Sequence, residues 1–471
     1  MRLLVKKMEK DQERIDLILE KFVQHTKKFF KELDSRRVAV SNDQINRQEL
    51  LEEGIGLHKA LDVFEKEYSK SLSASTGPRY LGFVTGGSTP ASIIGDWLAS
   101  LYDQNVMMTE DSIAGYMEIE TIEMLKDLFS LSEDYSGTFV SGATMANFIG
   151  LAQARQWVAY HYKVDVSQQG LFKLPPIKVL GGAIHSSVYK ALAMLGMGRE
   201  CVQPIDLQLN REAIETSVLR SYLEENKNEP CIVIANAGTV NTVDFDDLSA
   251  IGKLKEDYNF WLHIDAAFGG FAACSPKYKI LVEGINLADS ITIDAHKWLN
   301  VPYDSAMQFT RHKHLQVEVF QNNAAYLGSS ISNPEFIHLT PENSRRFRAL
   351  PAWFTLKAYG KKGYQELIER NIEMASMLKD KIEQSKQFIM LAPVRLNVVC
   401  FTLNQEGPTT DMVYKFIELL NEDGRVFVTP TIYKKTPAIR AAFSNWRTKN
   451  RDIHIIWSAL TDAAKKIYNC G

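Results

Sequence analysis

The run DSITIDAHKW at residues 289–298 constrains this chain more than any other stretch. Ile291 and Ile293 alternate with polar residues and read as one face of a buried strand. The strand stops at His296 and Lys297, and Trp298 follows. A lysine at the mouth of a sheet, beside an imidazole and an indole, suits carbonyl chemistry. Desolvation favours the neutral amine, and a neutral amine can form a Schiff base. A lysine at a strand end is also an ordinary solvated residue, so the run needs a second signal. The run FWLHIDAAFGG at 260–270 supplies one. It is another apolar strand, ending at Asp265 and leading into small residues. In a parallel sheet both strands open on the edge where α/β proteins bind ligands. A carboxylate and a lysine at one edge suit pyridoxal phosphate: Lys297 carries the cofactor, and Asp265 keeps the pyridine nitrogen protonated so that the ring accepts electrons.

Three further strand-turn-helix units lie upstream. In GTFVSGATMANFIGLAQAR (137–155) the turn 141–144 is made of small residues and opens a helix, which presents free N–H groups and its positive dipole end to an anion. Thr144 adds a hydroxyl. A Walker lysine is missing, which disfavours a nucleoside triphosphate; a plain capped turn is the competing reading. In IKVLGGAIHSSVYKAL (177–192), Val179 and Leu180 form a strand, Ser186 or Ser187 caps the next helix, and His185 faces the same sheet edge. In CIVIANAGTVNTVDFDDL (231–248) an apolar strand ends near Thr239, and Asp244 and Asp246 read as a cap for the helix 248–258. The alternation predicts an α/β protein with a mostly parallel sheet and right-handed crossovers.

The DAA and HKW motifs, with one strand between them, resemble those of the group II pyridoxal-phosphate-dependent amino-acid decarboxylases. The likeness runs from about 79 to 447. It implies a fold-type I architecture with a large cofactor-binding domain, a small C-terminal α/β domain and an N-terminal helical arm, bounded at 1–78, 79–350 and 351–471. It implies that Ala143, Thr144, Asn147, His185, Thr239, Asp265, Ala267, Asp294, His296 and Lys297 bind pyridoxal 5'-phosphate. Within that set His185 stacks on the ring, and Thr144 and His296 anchor the phosphate. The glycine-rich loop 77–90 then lines the substrate pocket through Phe83, Val84 and Gly86, although the residues alone also allow a simple connector.

Catalysis by the family also uses a tyrosine on a mobile loop, here about 326–344. Counting back from Arg345 and Arg346 puts Phe336 at that position, and phenylalanine has no proton to give. The candidate catalytic set is therefore Lys297, His185, Asp265, Phe336 and His338, with Tyr326 as another possible donor. The first expectation is decarboxylation of an L-amino acid to its amine. An oxidative path to an aldehyde, as in plant relatives with phenylalanine there, and a non-catalytic cofactor-binding paralogue are the alternatives. Phe83, with Arg79 the only arginine close to it in sequence, leans toward an aromatic substrate, since an acidic side chain wants a buried cation.

Composition excludes other classes. A net charge of −3 leaves no basic footprint for nucleic acid or an anionic membrane surface. The five scattered cysteines form no C-x-x-C pair, which argues against a zinc site or a disulfide framework and for a reducing, cytoplasmic setting. The N-terminal run is too charged for a secretory signal, and no apolar segment has membrane-spanning length. Residues 8–33 show helical periodicity with an apolar face, and the resemblance implies that this arm is exchanged within a homodimer.

Overall fold

The computed structural model describes residues 2–40, 49–110, 112–322, 335–405 and 407–469. Seven strands form the main sheet: β1 (Ser136–Val140), β2 (Val179–Gly181), β3 (Val202–Pro204), β4 (Cys231–Asn236), β5 (Phe260–Asp265), β6 (Ser290–Ile293) and β7 (Ala306–Thr310), in the order β1-β7-β6-β5-β4-β2-β3. Strands β2 to β6 pair in parallel, whereas β7 runs antiparallel to both β6 and β1. Every residue of β4 and β5 is buried, as expected for strands covered on both faces. Their side chains divide between two cores. Ile232, Ile234 and Trp261 join Leu151 and Val158 of the helix Ala143–His161 on one face. Val233, Ala235, Leu262 and Ile264 join Leu125 and Phe129 of the helix Ala114–Phe129 on the other.

A second sheet contains β8 (Phe388–Met390), β9 (Val398–Leu403), β10 (Thr429–Tyr433) and β11 (Thr436–Ala442), in the antiparallel order β10-β11-β9-β8. It packs on the helices Thr410–Asp423 and Asn450–Asn469. Val426 and Val428, just before β10, are buried core residues. The hairpin into β11 escaped the sequence because its turn is built by Lys434 and Lys435, both at positive φ (46° and 68°), where asparagine and glycine are the usual signal.

Two other expectations shift. The N-terminal periodicity resolves into Arg2–Glu13 and Ile15–Glu32, interrupted at Arg14 (φ −107°, ψ 12°). Helix 248 is capped by Asp247, whose side chain accepts from the Ala250 N–H. Asp244 instead receives Arg211 and Arg395, and Asp246 receives the Ile214 and Asn236 N–H groups. The helix Ala349–Glu383 breaks at Gly360 (φ 58°, ψ −174°). Among the described residues, no helix is long and apolar enough to cross a membrane.

Candidate active site

Strands β1, β5 and β6 end at one edge, and a cavity of about 340 Å³ opens there. Loop 77–90 and β11 close it from the far side. Lys297 sits in the tight turn Ala295–Leu299 that reverses the chain between β6 and β7. The neighbouring Trp298 is fully buried and donates its indole N–H to Asn371 Oδ1 at 2.8 Å. That anchor fixes the turn and leaves the lysine facing the cavity. Lys297 Nζ lies 2.9 Å from Asp294 Oδ2 and 5.5 Å from the centre of the Phe268 ring. Asp294 Oδ1 accepts the Ala143 N–H at 2.7 Å. One carboxylate thus links the lysine to the first turn of the helix Ala143–His161.

Asp265 lies across the cavity. Its Oδ2 accepts from Asn147 Nδ2 at 3.1 Å and its Oδ1 from the Ala267 N–H at 3.2 Å. His185 is itself the N-cap of the helix Ser186–Met194, in place of the serines expected there: its Nδ1 accepts the Ser187 N–H at 3.2 Å and lies 2.8 Å from Ser187 Oγ. Burial lowers the His185 pKa below the ordinary histidine value; the Asp265 charge opposes this and the Lys297 charge reinforces it. Burial likewise lowers that of His296, whose ring packs against Tyr303 at 4.5 Å.

Phe83, Val84, Ala143, Thr144, His185, Thr239, Asp265, Ala267, Asp294, His296 and Lys297 all border the cavity. The rest of the predicted set lies elsewhere. Asn147 is fully buried behind Asp265. Gly86 stands behind the lysine: a Cβ there would come within 1.5 Å of the Lys297 carbonyl oxygen, so glycine permits a close backbone approach and adds no pocket surface. Thr239 borders the space, but its hydroxyl donates to Glu212 Oε2 at 2.6 Å and accepts the Asp244 N–H at 3.0 Å, so it is already engaged.

Phe336 and His338 are buried in their own chain, apart from the cavity lining. The Phe336 ring lies 4.7 Å beneath the Arg345 guanidinium, and His338 Nδ1 accepts the Asn322 N–H at 3.0 Å. Tyr326 falls outside the described residues. Arg79 is held by Asp452 at 2.8 Å and does not border the cavity.

Sequence reading missed Arg440. It sits on β11, is largely buried, borders the cavity, and donates to the Val240 carbonyl at 2.6 Å. Its Nε is buried without a partner.

These residues fit pyridoxal phosphate. Gly142 leaves open space at the N-terminus of the helix Ala143–His161: a Cβ added there would meet no atom nearer than His296 at 3.5 Å, so an anion can approach the backbone N–H groups. Lys297 and Asp265 stand beyond it. No group of three or more metal-ligating side chains occurs among the described residues.

The conserved domain of the pyridoxal-dependent decarboxylases matches residues 60–404. The chain belongs to the pyridoxal-dependent decarboxylase family. As a member it is a carboxy-lyase that uses pyridoxal phosphate to decarboxylate an amino acid. This decarboxylase is 28% identical over 432 residues to the aromatic-L-amino-acid decarboxylase of Bacillus atrophaeus, covering 88% of this chain and 87% of that one. It is 27% identical over 391 residues to the L-2,4-diaminobutyrate decarboxylase of Acinetobacter baumannii, covering 79% and 75%. Its fold matches that of Oryza sativa TDC, solved with pyridoxal phosphate and tryptamine, at a TM-score of 0.88 and 19% identity, over 97% of this chain and 98% of the other.

Proposed function

We propose that this decarboxylase acts on an amino acid with an aromatic side chain and releases the amine. The observation that carries this reading is the cation count of the cavity. Lys297 and Arg440 are the lysine and arginine among its described lining residues. Lys297 is committed to the cofactor, which leaves Arg440 for one carboxylate of the substrate. An acidic substrate brings two carboxylates, and the second would be buried without a cation. Phe83, Val84 and Phe268 provide apolar surface for a ring instead. Phe83 and Val84 both hold positive φ, 56° and 57°. Such backbone is unfavourable for a β-branched residue and tends to cluster at ligand clamps.

The bound cofactor supplies an electron sink for the pair left on the substrate when carbon dioxide departs. Lys297 Nζ would be its attachment point, Asp265 would face the ring nitrogen, and His185 would cover the ring. Thr144, at the start of the helix Ala143–His161, and His296 would receive the phosphate, because the Ala143 N–H is already given to Asp294. Arg440 would hold the carboxylate in place before it leaves, and Phe83 and Val84 would exclude water from the reacting centre.

The same reading makes the N-terminal arm, residues 1–78, a dimerisation element. Leu19, Phe22 and Val23 are exposed on one side of the helix Ile15–Glu32, which leaves an apolar face for a second copy.

Carbon dioxide release and oxygen uptake, recorded together with tyrosine, tryptophan, phenylalanine and dihydroxyphenylalanine, test the proposal. Carbon dioxide without oxygen uptake is the expected result. Matched oxygen uptake would establish the aldehyde-forming path suggested by Phe336. Turnover of glutamate or 2,4-diaminobutyrate alone would overturn the aromatic assignment.

A further inference from the structure

Behind Asp265 a chain of buried polar side chains runs through the sheet into the helix Ala143–His161. Trp261 Nε1 donates to Ser290 Oγ at 2.9 Å. Ser290 Oγ lies 2.8 Å from His263 Nδ1. His263 Nε2 lies 2.9 Å from Asn147 Oδ1. Asn147 Nδ2 donates to Asp265 Oδ2 at 3.1 Å and to Ser187 Oγ at 3.2 Å, and Ser187 Oγ in turn meets His185 Nδ1 at 2.8 Å. Trp261, His263, Asn147 and Ser290 are all at 0% exposure, so water cannot substitute for the links among them.

The two ends fix the direction of every hydrogen bond. A carboxylate only accepts, so the Asn147 amide must turn its NH₂ toward Asp265 and its oxygen toward His263. An amide oxygen cannot donate, so His263 Nε2 must carry the proton. At the other end an indole N–H only donates, which leaves the Ser290 hydroxyl hydrogen free for His263 Nδ1. Donation therefore runs one way, from Trp261 to Asp265. At Asn147 it forks, because the two amide hydrogens serve Asp265 and, through Ser187, His185. The packing preserves this arrangement: a Cβ on Gly150 would come within 2.8 Å of the His263 ring, so the helix carries glycine where the imidazole must lie. Burial pushes the His263 pKa down to about 4, in keeping with a neutral ring.

We infer that His263, acting through Asn147, is a positioning residue that holds Asp265 as an acceptor toward the cofactor ring and His185 in its Nε2-protonated form. The inference rests on the reading that Asp265 faces the ring nitrogen. It extends that reading by joining the two groups on either side of the ring to one buried amide. The charged or titratable groups around Asp265 and His185 are Lys297, Arg440 and Asp294, all on the cavity side. His263 approaches from behind, on β5.

The test uses the cofactor's visible absorption and its dissociation constant on the full-length protein, with the variants H263L, H263Q, S290A and D265N. H263L leaves the Asn147 oxygen buried without a donor, and the amide is free to turn. We expect its cofactor affinity to fall roughly ten- to a hundredfold, the loss typical of one orphaned buried partner. We also expect its absorption to change with pH across a range where the parent is constant. H263Q keeps an N–H in reach of Asn147 and should recover most of both properties. S290A removes the donor to Nδ1, lets the ring exchange tautomers, and should reproduce a weaker form of the H263L spectrum. It carries the test if H263L does not fold. A D265N variant with the spectrum and affinity of the parent would overturn the reading of Asp265 itself. A D265N variant that differs, beside H263L and S290A variants that match the parent, would overturn the role of His263 alone.

Discussion

Lys297 and Asp294 lie 2.9 Å apart, and on the proposed reading cofactor attachment turns on this pair. Replacing Lys297 by alanine should abolish covalent retention of the cofactor after borohydride reduction, read by mass spectrometry. Turnover should fall by roughly 10⁴-fold or more, as when a covalent catalytic group is removed. Arg440→Met should leave the cofactor spectrum intact and lower kcat/KM by about a hundredfold, the loss expected for a charged hydrogen bond to substrate. An unchanged kcat/KM would remove Arg440 from substrate binding. These two residues also mark how far the sequence could be read. Lys297 and Asp265 were legible because Asp265 ends one apolar strand and Lys297 lies in the turn just after the next, and β5 and β6 pair directly. Arg440 was not, because it lies in a strand whose lysine turn gave no hairpin signal and reaches the cavity through tertiary packing alone. Asn147 was singled out only through the family resemblance. Its position behind Asp265 depends on helix-to-sheet packing, which no local pattern encodes.

At the scale of the element, Arg345 pins the segment that carries Phe336. Its guanidinium pairs with Glu118 at 2.7 Å and donates to the carbonyls of Val106 and Phe139 at 2.7 and 2.8 Å, all out of water. Removing one partner of such a pair leaves an uncompensated charge, so Glu118→Ala should destabilise the protein by about 3–5 kcal/mol in urea unfolding. Phe336→Tyr tests whether this residue governs the product. With its ring held under Arg345, the added hydroxyl should cost stability and leave the ratio of oxygen uptake to carbon dioxide release unchanged. A shift in that ratio would place residue 336 at the reacting centre. Counting back from Arg345 singled out Phe336 in the sequence. The burial of the segment in its own subunit became visible only in three dimensions.

Over the whole molecule, His185, His263 and His296 share a consequence. Burial lowers the pKa of each, so below about pH 6.5 the unfolded chain binds protons that the folded one refuses. Their contribution is complete above that pH and is lost as the pH falls toward the folded values. The urea midpoint should therefore drop between pH 7 and pH 5, and less steeply in H263Q. The apolar face of the helix Ile15–Glu32 gives a second prediction: sedimentation should show a dimer that Phe22→Asp weakens. The antiparallel course of β7 has one more effect. At the edge where β1 and β6 finish, β7 begins, so two strand spacings of about 4.8 Å lie between the anion cup and the strand that delivers the lysine. Backbone pairing sets that spacing and side chains close it: Asp294 accepts the Ala143 N–H at 2.7 Å and meets Lys297 Nζ at 2.9 Å, so a single carboxylate already joins the two ends that a ligand must reach.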